Sequence, residues 1–288
     1  MKKIKFFVDA CAVDLNSFLI SQYNINLLYP SITFNNRDYY SDCTWVKTPK
    51  EEYLNYLHNG NYATVSQVSV SEWKDVFEEG LKEDYDILFL SLSKRSSGGY
   101  KNAVMAKTLL LKKYPNREFE IIDSELFSAG YKLYALKIAE ELQKNSLETL
   151  KEFSEYIQNK YSKKIQTYWV CPNLNYVAFM SRGADNFDSN NVPQGSPLIA
   201  TDFEGSFSTI SLNSNAEDTF QDLLRRLEKA ESWELSYSPD LDREFIDNKA
   251  QILANKFNKA LEHSISWMGP TDIAIAGPYS YSVGILRN

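Results

Sequence analysis

Residues 85–100 read YDILFLSLSKRSSGGY: an apolar run from Tyr85 to Leu90, then a loop of hydroxyls and glycines from Ser93 to Tyr100. The run has the length and buried character of a strand. The residues after Tyr100 place Ala103, Ala106, Leu109 and Leu110 on one face of a helix to about Lys113, ended by Tyr114-Pro115-Asn116. A strand, a small polar loop and a helix in that order form a place to hold an anion. Paired glycines let the backbone approach a ligand, serines offer donors, and the first amides of the helix point outward. Serine and glycine also make ordinary turns and caps, so the rest of the chain must decide.

The two structural periods alternate through the first half. Ile4–Val8, Asn26–Phe34, Asp84–Ser91 and Glu118–Ile122 read as strands. Ser71–Leu81 reads as a helix with Trp73, Val76, Phe77 and Gly80 on one side, and Phe127–Leu142 as a helix apolar almost all round, which must be covered on more than one side. Such alternation implies a mostly parallel sheet with flanking helices. The second half differs. Helices are expected over Lys144–Lys160, Ala216–Lys229 and Asp240–Leu261. Strands are expected over Ile165–Val170, Ser196–Thr201, Ser206–Leu212, Ser232–Tyr237 and Asp272–Ala276, with a surface loop over Gly183–Gly195. The expectation is an α/β chain of two domains: residues 1–155 an N-terminal α/β domain, residues 156–288 a C-terminal α+β domain, with a seam near 145–165.

Composition narrows the function. The 288 residues are 43% apolar and 14% aromatic, enough for packed cores, and a net charge of -7 without a basic block argues against a nucleic-acid partner. No run approaches the ~18 apolar residues of a membrane span. The opening Met1-Lys2-Lys3 has the basic start of a secretion signal, but Asp9 arrives before any apolar core and the segment reads as a first strand. Cys11, Cys43 and Cys171 lack paired spacing, which fits a reducing cytoplasm. His58 and His263 leave little material for a metal site or a histidine-based triad, and no Walker lysine pattern or Gly-x-Gly-x-x-Gly accompanies the serine-glycine loop. Catalysis and cofactors are therefore not expected.

A parallel sheet places its ligand beyond the carboxyl ends of its strands. Here those ends carry Asp9, Ser91 with Ser93, and Asp123 with Ser124. Either aspartate alone is better explained as a loop cap or a partner of backbone amides. Together with the serine-glycine loop they outline a site.

These segments, in order, resemble the DegV family. Val8-Asp9-Ala10-Cys11 stands where the family has a Thr-Asp-Ser-Thr strand end, and Pro30-Ser31-Ile32-Thr33-Phe34 followed by Tyr40-Ser41-Asp42 is similar to its Pro-Leu strand and Tyr-x-Asp. Val65-Ser66-Gln67-Val68-Ser69 is similar to its Thr-Ser-Gln-Pro-Ser, and residues 93–100 to its Ser-Ser-x-Leu-Ser-Gly-Thr-Tyr loop. Asp123-Ser124, Gly269-Pro270 and Gly277-Pro278 continue the match. The resemblance implies a two-domain fold, a bound long-chain fatty acid lying between the domains, and a separate fatty acid kinase subunit to which the head group is presented. It also implies a head-group site at Ser66, Ser97, Gly98 and Gly99, with Asp9, Ser93 and Ser124 nearby. Two threonines of the family's motifs are here Val65 and Gly99, its C-terminal histidine is Ile275, and its Gly-Gly-Arg element survives only as Arg182-Gly183-Ala184-Asp185. Hydrogen bonds to charged groups contribute about 1.5–3 kcal/mol each, so these changes imply an altered head-group site. Lys94 or Arg95 could supply donors. Alternatively, the ligand is a neutral or phosphate-bearing lipid, or binding has been lost and a structural or regulatory paralogue remains.

Overall fold

The computed structural model describes residues 3–10, 17–144, 148–181, 193–202, 204–227, 229–258 and 265–287. Cys11, His263 and Arg182–Asp185 lie outside them, as does most of the loop expected over Gly183–Gly195. The chain opens with β1 (Ile4–Asp9), α1 (Ser17–Tyr23) and β2 (Ile25–Leu28), then β3 (Ser31–Phe34), β4 (Arg37–Tyr40), α2 (Lys50–His58) and β5 (Thr64–Ser66). Next come α3 (Val70–Lys82), β6 (Asp86–Ser91), α4 (Gly99–Lys113), β7 (Phe119–Asp123), α5 (Ser128–Lys144) and α6 (Leu150–Tyr161). The remainder holds β8 (Ile165–Val170), α7 (Asn175–Ser181), β9 (Ser196–Thr201), β10 (Phe207–Asn213), α8 (Ala216–Arg226), β11 (Ala230–Tyr237), α9 (Arg243–Phe257), β12 (Ile265–Trp267), α10 (Pro270–Ala276) and β13 (Tyr281–Arg287).

Strands β2, β1, β6 and β7 pair in that order, all parallel. The six-stranded second sheet, β10-β9-β8-β13-β11-β12, is antiparallel except for its last pair. A third antiparallel sheet, β4-β3-β5, stands beside the first. The mixed α/β class expected for the first half and the α+β class expected for the second are both present. No helix among the described residues is long and apolar enough to cross a membrane.

Local chemistry sets the helix starts. Ser69 and Glu72 form a reciprocal capping box at α3, and Thr149 and Glu152 form one at α6, each satisfying two otherwise unpaired amides. The second box corrects the single helix expected over Lys144–Lys160: α5 runs through Lys144 and a new helix starts at Leu150. The strand expected over Asn26–Phe34 is two, because Pro30 has no N–H to donate, and the halves enter different sheets. Asp272–Ala276 is helical, not extended: Gly269 caps α10 and Pro270 occupies its first turn, where a missing N–H costs nothing. The last strand is β13, central in its sheet and buried along almost its whole length. Leu109, assigned by periodicity to the covered face of α4, is exposed.

Helix α5 explains how the halves join. Twelve of its seventeen residues are buried, and it packs along β8, β11 and β13 of the second sheet. Its Lys132 ammonium pairs with Glu234 of β11 at 3.0 Å. Its Tyr131 hydroxyl reaches the first sheet, donating to the Leu90 carbonyl (2.5 Å) and accepting from the Asp9 amide (2.8 Å). The largest apolar cluster runs without a break from Phe6, Val8, Leu88 and Leu90 of the first sheet to Ile165, Trp169, Ile199 and Leu286 of the second.

Candidate functional site

A cavity of about 520 Å³ opens beyond the carboxyl ends of β1 and β6, where a parallel sheet concentrates ligands. Asp9 from β1 and Leu92 after β6 line its sheet side, and Pro30 lines it from the break between β2 and β3. Strand β5 and its continuation contribute Val65, Ser66, Gln67 and Val68; Trp73 comes from α3 and Phe127 from the residue before α5. The loop before α4 brings Ser96, Ser97, Gly98 and Gly99, and α10 brings Thr271 and Ile275 from the far end of the chain.

Each wall is held from elsewhere in the fold. The Ser96 and Ser97 amides donate to the Ser93 carbonyl (3.3 and 2.9 Å), and the Ser97 hydroxyl accepts from the Gly99 amide (3.2 Å), winding the loop into α4. The β9–β10 turn crosses over from the second sheet. Its Gly205 carbonyl accepts from both Ser93 and Ser96 hydroxyls (2.8 and 3.2 Å). Gly205 has φ +82°, and a Cβ there would lie 2.1 Å from Ser93 Oγ, so the contact requires glycine. Asn102 of α4 donates to the Val68 carbonyl (2.9 Å), tying α4 to the wall after β5. Helix α10 is held by the Tyr53 hydroxyl on the Pro270 carbonyl (2.7 Å) and by Ser41, which accepts from the amide and the hydroxyl of Thr271 (3.2 and 2.8 Å).

Of the nine residues singled out from sequence, the cavity brings together Asp9, Val65, Ser66, Ser97, Gly98, Gly99 and Ile275. Ser93 and Ser124 do not line it. Ser93 is spent on Gly205, and the Ser124 hydroxyl closes a turn with the amide and carbonyl of Leu126 (3.0 and 3.2 Å). Gln67, Trp73, Phe127 and Thr271 line it without having been singled out. Gln67 stood within the quoted motif, and its side chain occupies the space a Cβ at Gly98 would fill, 1.8 Å from Oε1. Trp73 lay on the apolar side expected for α3, and nothing in that periodicity separates a core indole from a cavity wall.

The electrostatics are one-sided. Among the described residues that line the cavity there is no lysine, arginine or histidine, and Asp9, 7% exposed, is the one carboxylate. The basic side chains of the loop turn to acids instead: Lys94 Nζ lies 3.3 Å from Asp123 Oδ2, and Arg95 bonds Glu204. His58 ends α2, bonded to Asp240 at 2.8 Å, away from the cavity. Behind the wall, Asp272 of α10 is 2% exposed, with Oδ1 unpartnered among the described residues. Burial pushes its carboxyl up to about 7; a hydrogen bond with Ser128 opposes that and the charge of Asp9 adds to it. The indole N–H of Trp73, itself 1% exposed, has no hydrogen-bond partner among the described residues. Among the described residues no group of three or more His, Cys, Asp or Glu side chains could hold a metal ion.

Comparison with known proteins agrees with this architecture. Residues 3–182 match the family model described as "Uncharacterised protein, DegV family". A DegV domain-containing protein of Clostridium perfringens is 29% identical over 177 residues, 62% of this chain and 59% of that protein. One from Caldanaerobacter subterraneus is 32% identical over 139 residues, 48% of this chain and 47% of that protein. The matched stretch thus spans less than two thirds of these curated relatives. Among solved structures, a stearic acid-binding protein from Eubacterium ventriosum superposes with a TM-score of 0.85 at 17% identity, covering 99% of this chain and 98% of that one. A DegV family protein from Thermus thermophilus, described by its fatty acid binding, gives 0.81 at 17% identity over 99% and 100% of the two chains. A third, from Eubacterium eligens, was solved loaded with heptadecanoic acid and gives 0.81 at 15% identity, with 99% and 100% covered.

Proposed function

Because this chain belongs to the DegV family, we propose that it binds a long-chain acyl lipid in the cavity between the parallel sheet and α10, by capture without chemistry. The observation that carries this reading is the cavity itself. Apolar side chains at Pro30, Val65, Leu92, Phe127 and Ile275 share one space with the Ser66 and Ser97 hydroxyls and the start of α4. Its volume falls within the roughly 300–1,000 Å³ of small-molecule sites. Each buried methylene contributes about 0.8 kcal/mol, so the tail can dominate affinity over a depleted head-group site. The head group would lie at Ser66, Ser97 and the Gly98–Gly99 backbone, where the helix dipole adds its favourable end. Three fold neighbours described as binding fatty acids support the same use of the fold.

On this reading the protein is a carrier, not an enzyme, working in the cytoplasm and offering the polar end of its ligand at the Ser96–Gly99 rim to a phosphoryl-transferring partner such as a fatty acid kinase subunit. Protein purified from a bacterial host is expected to release an acyl lipid on organic extraction and mass analysis. Absence of any co-purifying lipid, together with no thermal stabilisation by added acyl lipids, overturns the reading.

A further inference from the structure

Resting on that reading, the hydrogen bonds at the mouth of the cavity single out one further residue for the head group. With no cation among the described lining residues, a charged head group must be held by neutral donors. Part of the wall's supply is already committed. The Ser96 hydroxyl donates to the Gly205 carbonyl (3.2 Å), and the Thr271 hydroxyl donates to Ser41 Oγ (2.8 Å). Ser97 Oγ accepts from the Gly99 amide (3.2 Å), which leaves its own proton to give. Ser66 and Gln67 are exposed, and their side chains have no hydrogen-bond partner among the described residues. Of these groups the Gln67 carboxamide has the most to offer, since its nitrogen carries a pair of N–H donors.

Gly98 shows that the fold keeps a place for that carboxamide. Its φ of -74° and ψ of -6° lie in the right-handed helical region that any residue adopts, so backbone freedom does not call for glycine there. A Cβ at this position would lie 2.6 Å from Cδ and 2.8 Å from Nε2 of Gln67, with Oε1 closer still, and these are its three nearest atoms. The absent side chain at Gly98 is therefore the seat of Gln67, and both residues line the cavity. We propose that Gln67 is a specificity-determining residue for acyl binding: held over Gly98, its Nε2–H donates to an oxygen of an ionised carboxyl head group that also accepts from the Ser66 and Ser97 hydroxyls. Hydrogen bonds to a charged acceptor are the stronger ones, so a tail ending in a plain alcohol gains less from the same carboxamide.

The test is calorimetric titration of delipidated protein with dodecanoate and with dodecanol, which share one tail, at about pH 8, where the acid is ionised. Gln67→Ala is expected to weaken dodecanoate by about tenfold and dodecanol by less than about twofold. Gly98→Ala displaces the carboxamide and is expected to cost dodecanoate a similar factor in the native background but little in the Gln67→Ala background, where the space is already vacated. Gln67 is exposed and Gly98 has an ordinary helical conformation, so both variants should keep the native melting temperature, which separates lost binding from lost fold. An unchanged dodecanoate affinity in Gln67→Ala overturns the role given to the carboxamide, and equal losses for the two ligands overturn its link to the head group; both results leave acyl binding intact. A full Gly98→Ala loss in the Gln67→Ala background overturns the seating. Binding of neither ligand to the native protein removes the acyl-lipid reading itself, and this inference with it.

Discussion

Asp272 shows how a single side chain ties the site to the stability of the fold. In the unfolded chain its carboxyl ionises near 3.8, whereas burial holds it protonated up to about 7 in the folded protein. Below the lower value both states carry the proton and nothing is lost. Between the two values the folded state keeps a proton that the unfolded state has released, so stability falls as pH rises, and the loss is complete above about 7. Asp272→Asn, nearly isosteric and never charged, is expected to flatten that slope. Chemical denaturation should find it up to about 4 kcal/mol more stable than the native protein near pH 8 and little different near pH 4. An equal effect at both values would place the carboxyl's penalty elsewhere. The same scale shows what sequence reading can and cannot reach. Serines, glycines and strand-end acids have recognisable chemistry, and Asp9, Ser66, Ser97, Gly98 and Gly99 meet in the cavity. Ser93 and Ser124 have the same chemistry but are used within their own turns, and only the positions of Gly205 and Leu126 reveal it. Trp73 was hidden for the opposite reason: burial makes an indole look like core, and the missing partner of its N–H is a property of three dimensions.

Elements meet in this protein through residues with no side chain to spare. Strand β13 lies so close to α5 that a Cβ on Gly284 would sit 2.5 Å from the Ala129 carbonyl carbon and the Gly130 amide, both backbone atoms. Flexible side chains can move aside, but a helix held by Tyr131 and Lys132 to both sheets cannot do so cheaply. Gly284→Ala is therefore expected to cost about 3 kcal/mol and several degrees of melting temperature. Gly60→Ala, whose Cβ would meet nothing within 4 Å, should lose only the smaller cost of its positive φ. Comparable melting temperatures for the two variants would show that α5 can shift away from the sheet. Legibility at this scale followed length and periodicity. Ile165–Val170 has the bounds read from sequence, and α3, α4, β6 and β7 fall within two residues of theirs. Short buried segments gave no such handle. In Asp272–Ala276 every residue is buried, so helix and strand periods cannot be told apart, and the informative signal was Gly269-Pro270 at the start of a helix. β13 was missed for a related reason, since burial on both faces removes the alternation that marks a strand.

At the scale of the molecule, connectivity and packing run in different directions. The sequence suggests units at 1–155 and 156–288, yet α5, which belongs to the first by position, makes its most extensive packing with β13 and with β8 and β11. The return path is α10, from the second unit, whose first turn is fastened by Ser41 and Tyr53 of the first. One apolar cluster spans both sheets, and the cavity takes its walls from both units, including Thr271 and Ile275 beside Asp9 and Val65. Removing residues 156–288 would expose the buried face of α5 to water, at roughly 25 cal/mol for each Å² of apolar surface uncovered. Residues 1–155 expressed alone are therefore expected to be aggregated or partly unfolded, with weak amide protection along 128–144. The full chain should melt in a single transition seen alike by far-ultraviolet circular dichroism and tryptophan fluorescence. Two separated transitions, or a soluble and fully protected 1–155 fragment, would mean that the interface contributes little to stability. In that case the cavity could open by parting the units without unfolding either. If the units melt together, the proposed ligand is expected to enter along the Ser66 and Ser96–Gly99 part of the wall, which is built from loop and strand end rather than from the shared core.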